Sequence, residues 1–355
     1  MFVERRHFGR NLTNINDASG AQGRKGVATK AAQQQKPAAP VQFAVFCDNQ
    51  NQQPTAPWQY DALPMPEPIV YEDSDPMCIE DDAEVEDIDE LDACDPQFVS
   101  EYVNDIVAFL KEKEKHCRIP ADFLAHQKEV TGKHRDVLVA WMAKAYRELR
   151  LLSETLFLAV DIVDRVLASG PVSRKKVHLL GCAALIIASK YEETFAPPLE
   201  DFHEVSGRTF TDDDFIKMEK VLLNRIGFNL CIPASVQFLR RYSKAARSDS
   251  KTHTLSKYLT ELSMTSHTMV GFLPSEIAAA AVLLARNMRG VPAKNLWNAT
   301  LAYYSGYEQY DIMTCARALN KVLYNELMKT NKNSIFLKYQ SKNLLAVALV
   351  PFRDL

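Results

Sequence analysis

From about Asp95 onward, apolar residues recur every three or four positions almost without pause. That is the spacing of helices with one buried face. Val, Ile and Thr never alternate for long, so the pattern predicts no strands. Glycine and proline fall where such helices would have to stop: Pro120, Gly170-Pro171, Pro197-Pro198, Pro233, Pro274 and the stretch from Gly290 to Pro292. The clearest stretch runs from Glu154 to Glu193, two apolar helices joined across Gly170-Pro171. The second is so rich in alanine that neighbouring helices can pack directly on its backbone. Its far end carries Lys190, Glu192 and Glu193, charges that no core requires and therefore candidates for contact with a partner.

The helical body contains a repeat. The shift that lays Lys190 on Asn287 also lays LGCAALIIASK (180–190) on IAAAAVLLARN (277–287). It carries Asp214, Phe215, Ile216 and Leu222 onto Asp311, Ile312, Met313 and Leu319, and Leu158 and Ile162 onto Leu255 and Leu259. One offset without a gap predicts two similar all-α domains, each built around an alanine-rich helix. Positions shared by the repeats are expected in the core, and positions that differ in chemistry are free to serve a partner. Lys190 falls on Asn287 and Glu219 on Ala316, so only the first repeat is charged at either place.

Residues 1–98 differ from the rest, being rich in Gln, Ala, Pro, Asn and Asp with few periodic apolar positions. Such a composition cannot bury enough surface to offset its ordering entropy, so a disordered tail is expected. It ends in an acidic run, IEDDAEVEDIDELDACD (79–95), read as a solvated linker or, more sharply, as a docking strip for a basic surface. The 355-residue chain is 47% hydrophobic with a net charge of only −3, which argues against a dedicated nucleic-acid binder. Its seven cysteines form no CxxC pair, so neither zinc nor a disulfide framework is expected, and a reducing compartment is. The charged start MFVERRHFGR lacks the apolar core of a secretory signal, and no apolar run approaches the roughly 20 residues of a membrane span. The phosphate-loop, nucleotide-binding, zinc-protease and serine-hydrolase motifs are all missing, so no catalytic role and no cofactor or metal are expected.

Residues 99–340 resemble the cyclins. ETLFLAVDIVDR, LLGCAALIIASKYEE and FIKMEKVLLNRIGFNL stand in cyclin order and spacing, and SEYVNDIVAFLKEKE (100–114) resembles the helix that precedes the first box in mitotic members. FLRRYSK, HTLSKYL and FLPSEIAAAA look B-type. The resemblance implies two tandem five-helix boxes, 99–229 with a leading helix and 230–340, followed by an extension at 341–355. It also implies a regulatory subunit of a mitotic cyclin-dependent Ser/Thr kinase. Lys190 and Glu219, the two charges the repeat sets apart, match the pair that meets the kinase's mobile helix and activation segment. The apolar kinase-facing positions carry over to Ile187, Tyr191, Leu223, Phe228 and Leu230, with Tyr102, Ile106 and Phe109 from the leading helix.

Two further sites follow from the same resemblance. HRDVLVAW matches the patch that docks Arg-x-Leu substrates, at Arg135, Leu138 and Trp141 with Ala145 and Val177 as walls. It departs at His134, at Lys144, where an acid normally meets the docking Arg, and at His178, where a Gln normally bonds the peptide. A lysine facing an incoming arginine repels it. Arg240, His253 and Lys257 keep the spacing of the B-type phosphate pocket, with His253 and Lys257 one turn apart on a helix face.

In the tail, RRHFGRNLTN (5–14) resembles a destruction box that recruits the anaphase-promoting ubiquitin ligase. Arg5, Phe8 and Gly9 stand in pattern, and Leu12 and Asn14 fit with one extra residue. FAVFCD, with Phe43, Val45, Phe46 and Asp48, resembles the motif that docks on activators of the same ligase. Lys25, Lys30 and Lys36 are the candidate ubiquitin acceptors. The expectation is therefore a B-type mitotic cyclin of nucleus and cytoplasm, controlling G2/M progression and removed by ubiquitin-dependent proteolysis. Its expected partners are the kinase, the ligase with its activators, and phosphorylated or short-motif substrates, with neither nucleic acid nor membrane. The alternatives are an A-type cyclin, or a cyclin-fold interaction protein that activates no kinase.

Overall fold

The computed structural model describes residues 85–355 with the exception of Cys94. The degron-like residues Arg5, Phe8, Gly9, Leu12 and Asn14, and the motif of Phe43, Val45, Phe46 and Asp48, lie outside the described residues. Within them the regular secondary structure is helical and there is no strand. Helix α1 (Val103–His116) leads. A first set follows: α2 (Gly132–Glu148), α3 (Ser153–Ser169), α4 (Val177–Glu192), α5 (Leu199–Val205) and α6 (Asp212–Arg225). The second set is α7 (Ser235–Ala245), α8 (Ser250–Ser263), α9 (Pro274–Met288), α10 (Ala299–Ser305) and α11 (Gln309–Met328), closed by α12 (Ser334–Tyr339).

The repeat in the sequence is a repeat in space. The shift that carries Lys190 to Asn287 carries the first residues of α3, α4 and α6 onto the first residues of α8, α9 and α11. The start signals repeat as well. Thr211 and Asp214 cap α6 reciprocally, and Glu308 and Asp311 stand at the same two places on α11. In each set the alanine-rich helix is central: α4 packs on α2, α3 and α6, and α9 on α7, α8 and α11. Small side chains permit the close approach. A Cβ on Gly181 would lie 2.7 Å from Leu138 Cδ1, so any side chain there would displace the buried Leu138 between α2 and α4. Ala278 to Ala285 form an unbroken buried run in α9.

Polar bonds join the two halves. Arg135 on α2 is 1% exposed. It holds Asp164 with Nε to Oδ1 at 2.9 Å and Nη2 to Oδ2 at 2.6 Å, and Nη1 donates to the Met264 carbonyl at the end of α8. Glu261 on α8 is fully buried and accepts from Ser153 Oγ at 3.0 Å, Lys338 Nζ at 2.7 Å and the Tyr339 hydroxyl at 2.8 Å. Through Lys338, which also donates to the Tyr146 hydroxyl at 2.6 Å, α12 is pinned across α2 and α8. Val347 and Ala348 of the C-terminal extension are buried.

The sequence placed the end of the disordered tail at 98, yet the chain is already packed from about residue 86. Asp89 and Asp92 pair with Arg241 and Lys244 on α7, because a basic surface of this chain lies within reach of the acidic run. The described part of the run, read from sequence as a solvated linker or a docking strip for a partner, docks instead on the second box of the same chain.

Candidate functional site

Lys190 lies in the last turn of α4 and Glu219 on α6, and the packing of these helices brings Lys190 Nζ to 2.6 Å from Glu219 Oε1. The Lys190 side chain is 55% exposed and that of Glu219 14%, so the pair sits at the rim of the first box. Tyr191 and Phe228 are exposed, and Phe228 is held with φ at +57° in the left-handed region. A non-glycine residue there is strained, and the strain presents an aromatic ring to solvent. Tyr102, Ile106 and Phe109 are exposed along one side of α1. The end of α1 reaches this region, since Cys117 Sγ lies 4.0 Å from the side-chain nitrogen of Asn229.

Three expectations for this face need correction. Ile187 is 3% exposed and belongs to the core, because an α4 packed on three sides leaves only its last turn for a partner. Leu223 and Leu230 are half-buried and offer only part of their surface. Glu193, grouped with Lys190 from the sequence, accepts from the Leu152 amide at 2.7 Å and the Thr155 hydroxyl at 2.5 Å. It therefore satisfies the N-terminus of α3.

The docking-patch residues divide. Arg135 cannot meet a peptide, because it is buried on Asp164 and Met264. Leu138, Ala145 and Val177 are buried walls. Trp141 is half-buried and meets His178 edge-on with ring centroids 4.4 Å apart, and His178 in turn meets Phe210 at 5.3 Å. Burial pushes the His178 pKa down, and its Nε2 has no partner among the described residues. His134 accepts from the Thr131 amide at 3.1 Å and so caps α2. Lys144 is exposed, with Glu148 one turn on at 3.6 Å, so a carboxylate accompanies the lysine that replaces the acid. The apolar side chain most available here is Val137, 71% exposed and one turn before Trp141.

Arg240, His253 and Lys257 come together on the second box. Burial first, then the charges of Lys257 and Arg240, hold the His253 pKa below its ordinary value. His253 Nδ1 lies 2.9 Å from the Ser243 hydroxyl. Arg240 is exposed and forms an ion pair with Glu154 at the start of α3, so an incoming anion would exchange with that carboxylate.

These surfaces stand on a chain whose residues 105–231 match the model of the cyclin N-terminal domain and residues 233–353 that of the cyclin C-terminal domain. The chain belongs to the cyclin family. This cyclin is 42% identical over 266 residues to the G2/mitotic-specific cyclin-B of Dictyostelium discoideum, covering 75% of this chain and 61% of that one. With the G2/mitotic-specific cyclin-B2 of Bos taurus it shares 37% over 339 residues, covering 92% of this chain and 83% of that one. It thus spans less than two thirds of the Dictyostelium relative. The crystal structure of a viral cyclin from herpesvirus saimiri superposes with a TM-score of 0.56 at 19% identity, covering 61% of this chain and 96% of the viral one, which shows the shared fold.

Among the exposed apolar side chains of the first box that sequence reasoning missed are Phe195 at 91%, Val137 at 71% and Ile216 at 56%. Ile216 was placed in the core because the repeat pairs it with Met313. Shared hydrophobicity does not fix burial at the edge of a helix face. Phe195 was detectable as a large aromatic just beyond the charged end of α4.

Proposed function

We propose that this cyclin binds and activates a mitotic cyclin-dependent Ser/Thr kinase as a non-catalytic subunit. The reading is carried by the Lys190–Glu219 pair, which the packing of the fold does not require and the second box does not repeat. It stands near exposed Tyr191 and Phe228, as a charged rim beside apolar anchors. Such a face suits a partner whose active pose depends on an inward helix C, where a Glu pairs with the catalytic lysine. A rigid surface that binds only the inward pose stabilises it by differential affinity. The second box and the patch around Val137 and Trp141 would gather substrates, and the tail would time removal through ubiquitin ligation at G2/M, in nucleus and cytoplasm.

The test is activation of purified mitotic kinase by wild type and by the double variant Lys190→Glu/Glu219→Lys. The swap keeps an ion pair between α4 and α6 while reversing the charges shown to a partner. A folded variant is expected to activate at least about tenfold less well. If neither chain activates any mitotic kinase, the protein uses the cyclin fold for another kind of interaction.

A further inference from the structure

Helix α1 carries the apolar residues offered to the kinase, yet its only buried side chain is the charged Glu114. Polar bonds to the second box hold it. Lys111 Nζ donates to the Ser305 carbonyl at 2.5 Å, and Glu114 accepts from the Ser275 amide and hydroxyl at 2.9 and 2.5 Å. At its first turn Asn104 Oδ1 accepts from Arg241 Nη2 at 2.7 Å.

Arg241 is 6% exposed and lies over the Tyr304 ring, 4.7 Å from its centroid. An amide oxygen and an aromatic face do not balance a buried guanidinium. Asp89 does, accepting from Arg241 Nη1 at 2.5 Å and from Lys244 Nζ at 2.8 Å, while Asp92 meets Lys244 at 2.5 Å. The Glu86 amide donates to Thr300 Oγ1 and the Ile88 amide to the Tyr304 hydroxyl, each at 3.3 Å. The acidic strap 86–92 is thus laid along α7 and α10, and its Asp89 balances the arginine that bonds the start of α1.

We propose that this strap is part of the kinase-binding apparatus: by neutralising Arg241, Asp89 fixes helix α1 and so sets where Tyr102, Ile106 and Phe109 are presented. This rests on the kinase-binding reading above. The strap's hydrogen bonds and ion pairs described above go to α7 and α10 rather than to these three residues, so it acts on affinity through the helix.

The test uses the full chain carrying Asp89→Asn, with Glu86→Gln as control. Glu86 pairs with Arg247 at 2.6 Å, but both side chains are largely exposed, and such pairs contribute little. Amide exchange of residues 103–116 is followed in the free chain, and affinity and maximal activation are measured with purified mitotic kinase. For Asp89→Asn, α1 is expected to exchange faster while α7 to α9 stay protected. The kinase dissociation constant rises about tenfold, and activation at saturating cyclin is unchanged. Glu86→Gln behaves as wild type. Three results would overturn the proposal: unchanged exchange in α1, lost protection in α7 to α9 alongside it, or unchanged kinase affinity. A wild-type chain that binds no kinase would sink the kinase-binding reading, and the exchange data would still decide whether the strap holds the helix.

Discussion

Arg135 and Val137 stand two positions apart on α2 and do opposite things. Removing the Arg135 guanidinium leaves Asp164, itself 4% exposed, as a buried carboxylate without its fork. Breaking such a pair costs about 3–5 kcal/mol. Arg135→Ala is therefore expected to lower unfolding free energy by that order in urea titrations. Val137→Asp changes an exposed position, should shift stability by no more than about 0.5 kcal/mol, and should remove binding of a docking peptide. His253 supplies a pH prediction. Its pKa is depressed by burial and by Lys257 and Arg240, so the imidazole tends to be neutral before a ligand arrives. A phosphate dianion would favour the imidazolium, so binding takes up a proton. Phosphopeptide affinity, followed by calorimetry, should rise as pH falls from about 8 toward 6.5, before the phosphate itself protonates near about 6. His253→Asn should flatten that slope. In the unliganded chain the depressed value acts the other way. Its stability contribution is present above the ordinary histidine value of about 6.5 and is lost as pH falls through the folded value.

At the scale of elements, the alanine-rich helices were legible because their composition states their use. A helix apolar all round, with small side chains, has to be surrounded. The starts of α3, α4 and α6 and those of α8, α9 and α11 were legible through the repeat. Helix α12 is another matter. Six residues do not hold a helix in place alone, and Glu261 fixes it through Lys338 and Tyr339. Glu261→Ala should strand the Lys338 ammonium, cost about 3–5 kcal/mol, and expose the chain after α11 to limited proteolysis. The acidic run could not be assigned from sequence either. Its charge told of a basic surface without telling whose, and Arg241 and Lys244 on α7 are the answer.

At the scale of the molecule, duplication alone would let the two boxes unfold separately. The bonds that cross between them argue otherwise: Arg135 to Met264, Ser153 to Glu261, and Tyr146 through Lys338 to Glu261. A single calorimetric transition is expected for residues 85–355, with van't Hoff and calorimetric enthalpies equal. Two resolved transitions would show that these bonds do not couple the boxes. Arg135→Ala is the variant most suited to separating them.

By itself the sequence determined the helical class, the duplication, the alanine-rich centres and the two charges that differ between repeats. All of these are properties of spacing and residue type along one chain. Tertiary structure alone decided which residues of that pattern reach solvent. Ile187 and Ile216 are both apolar residues on helices of the first box, and one is buried and the other exposed, because α4 is packed on three sides and α6 is not. Arg135 and Glu193 look like surface charges in sequence, and each is committed to the fold by a partner far along the chain. Such partners meet only when helices cross, and the local pattern holds no record of the crossing.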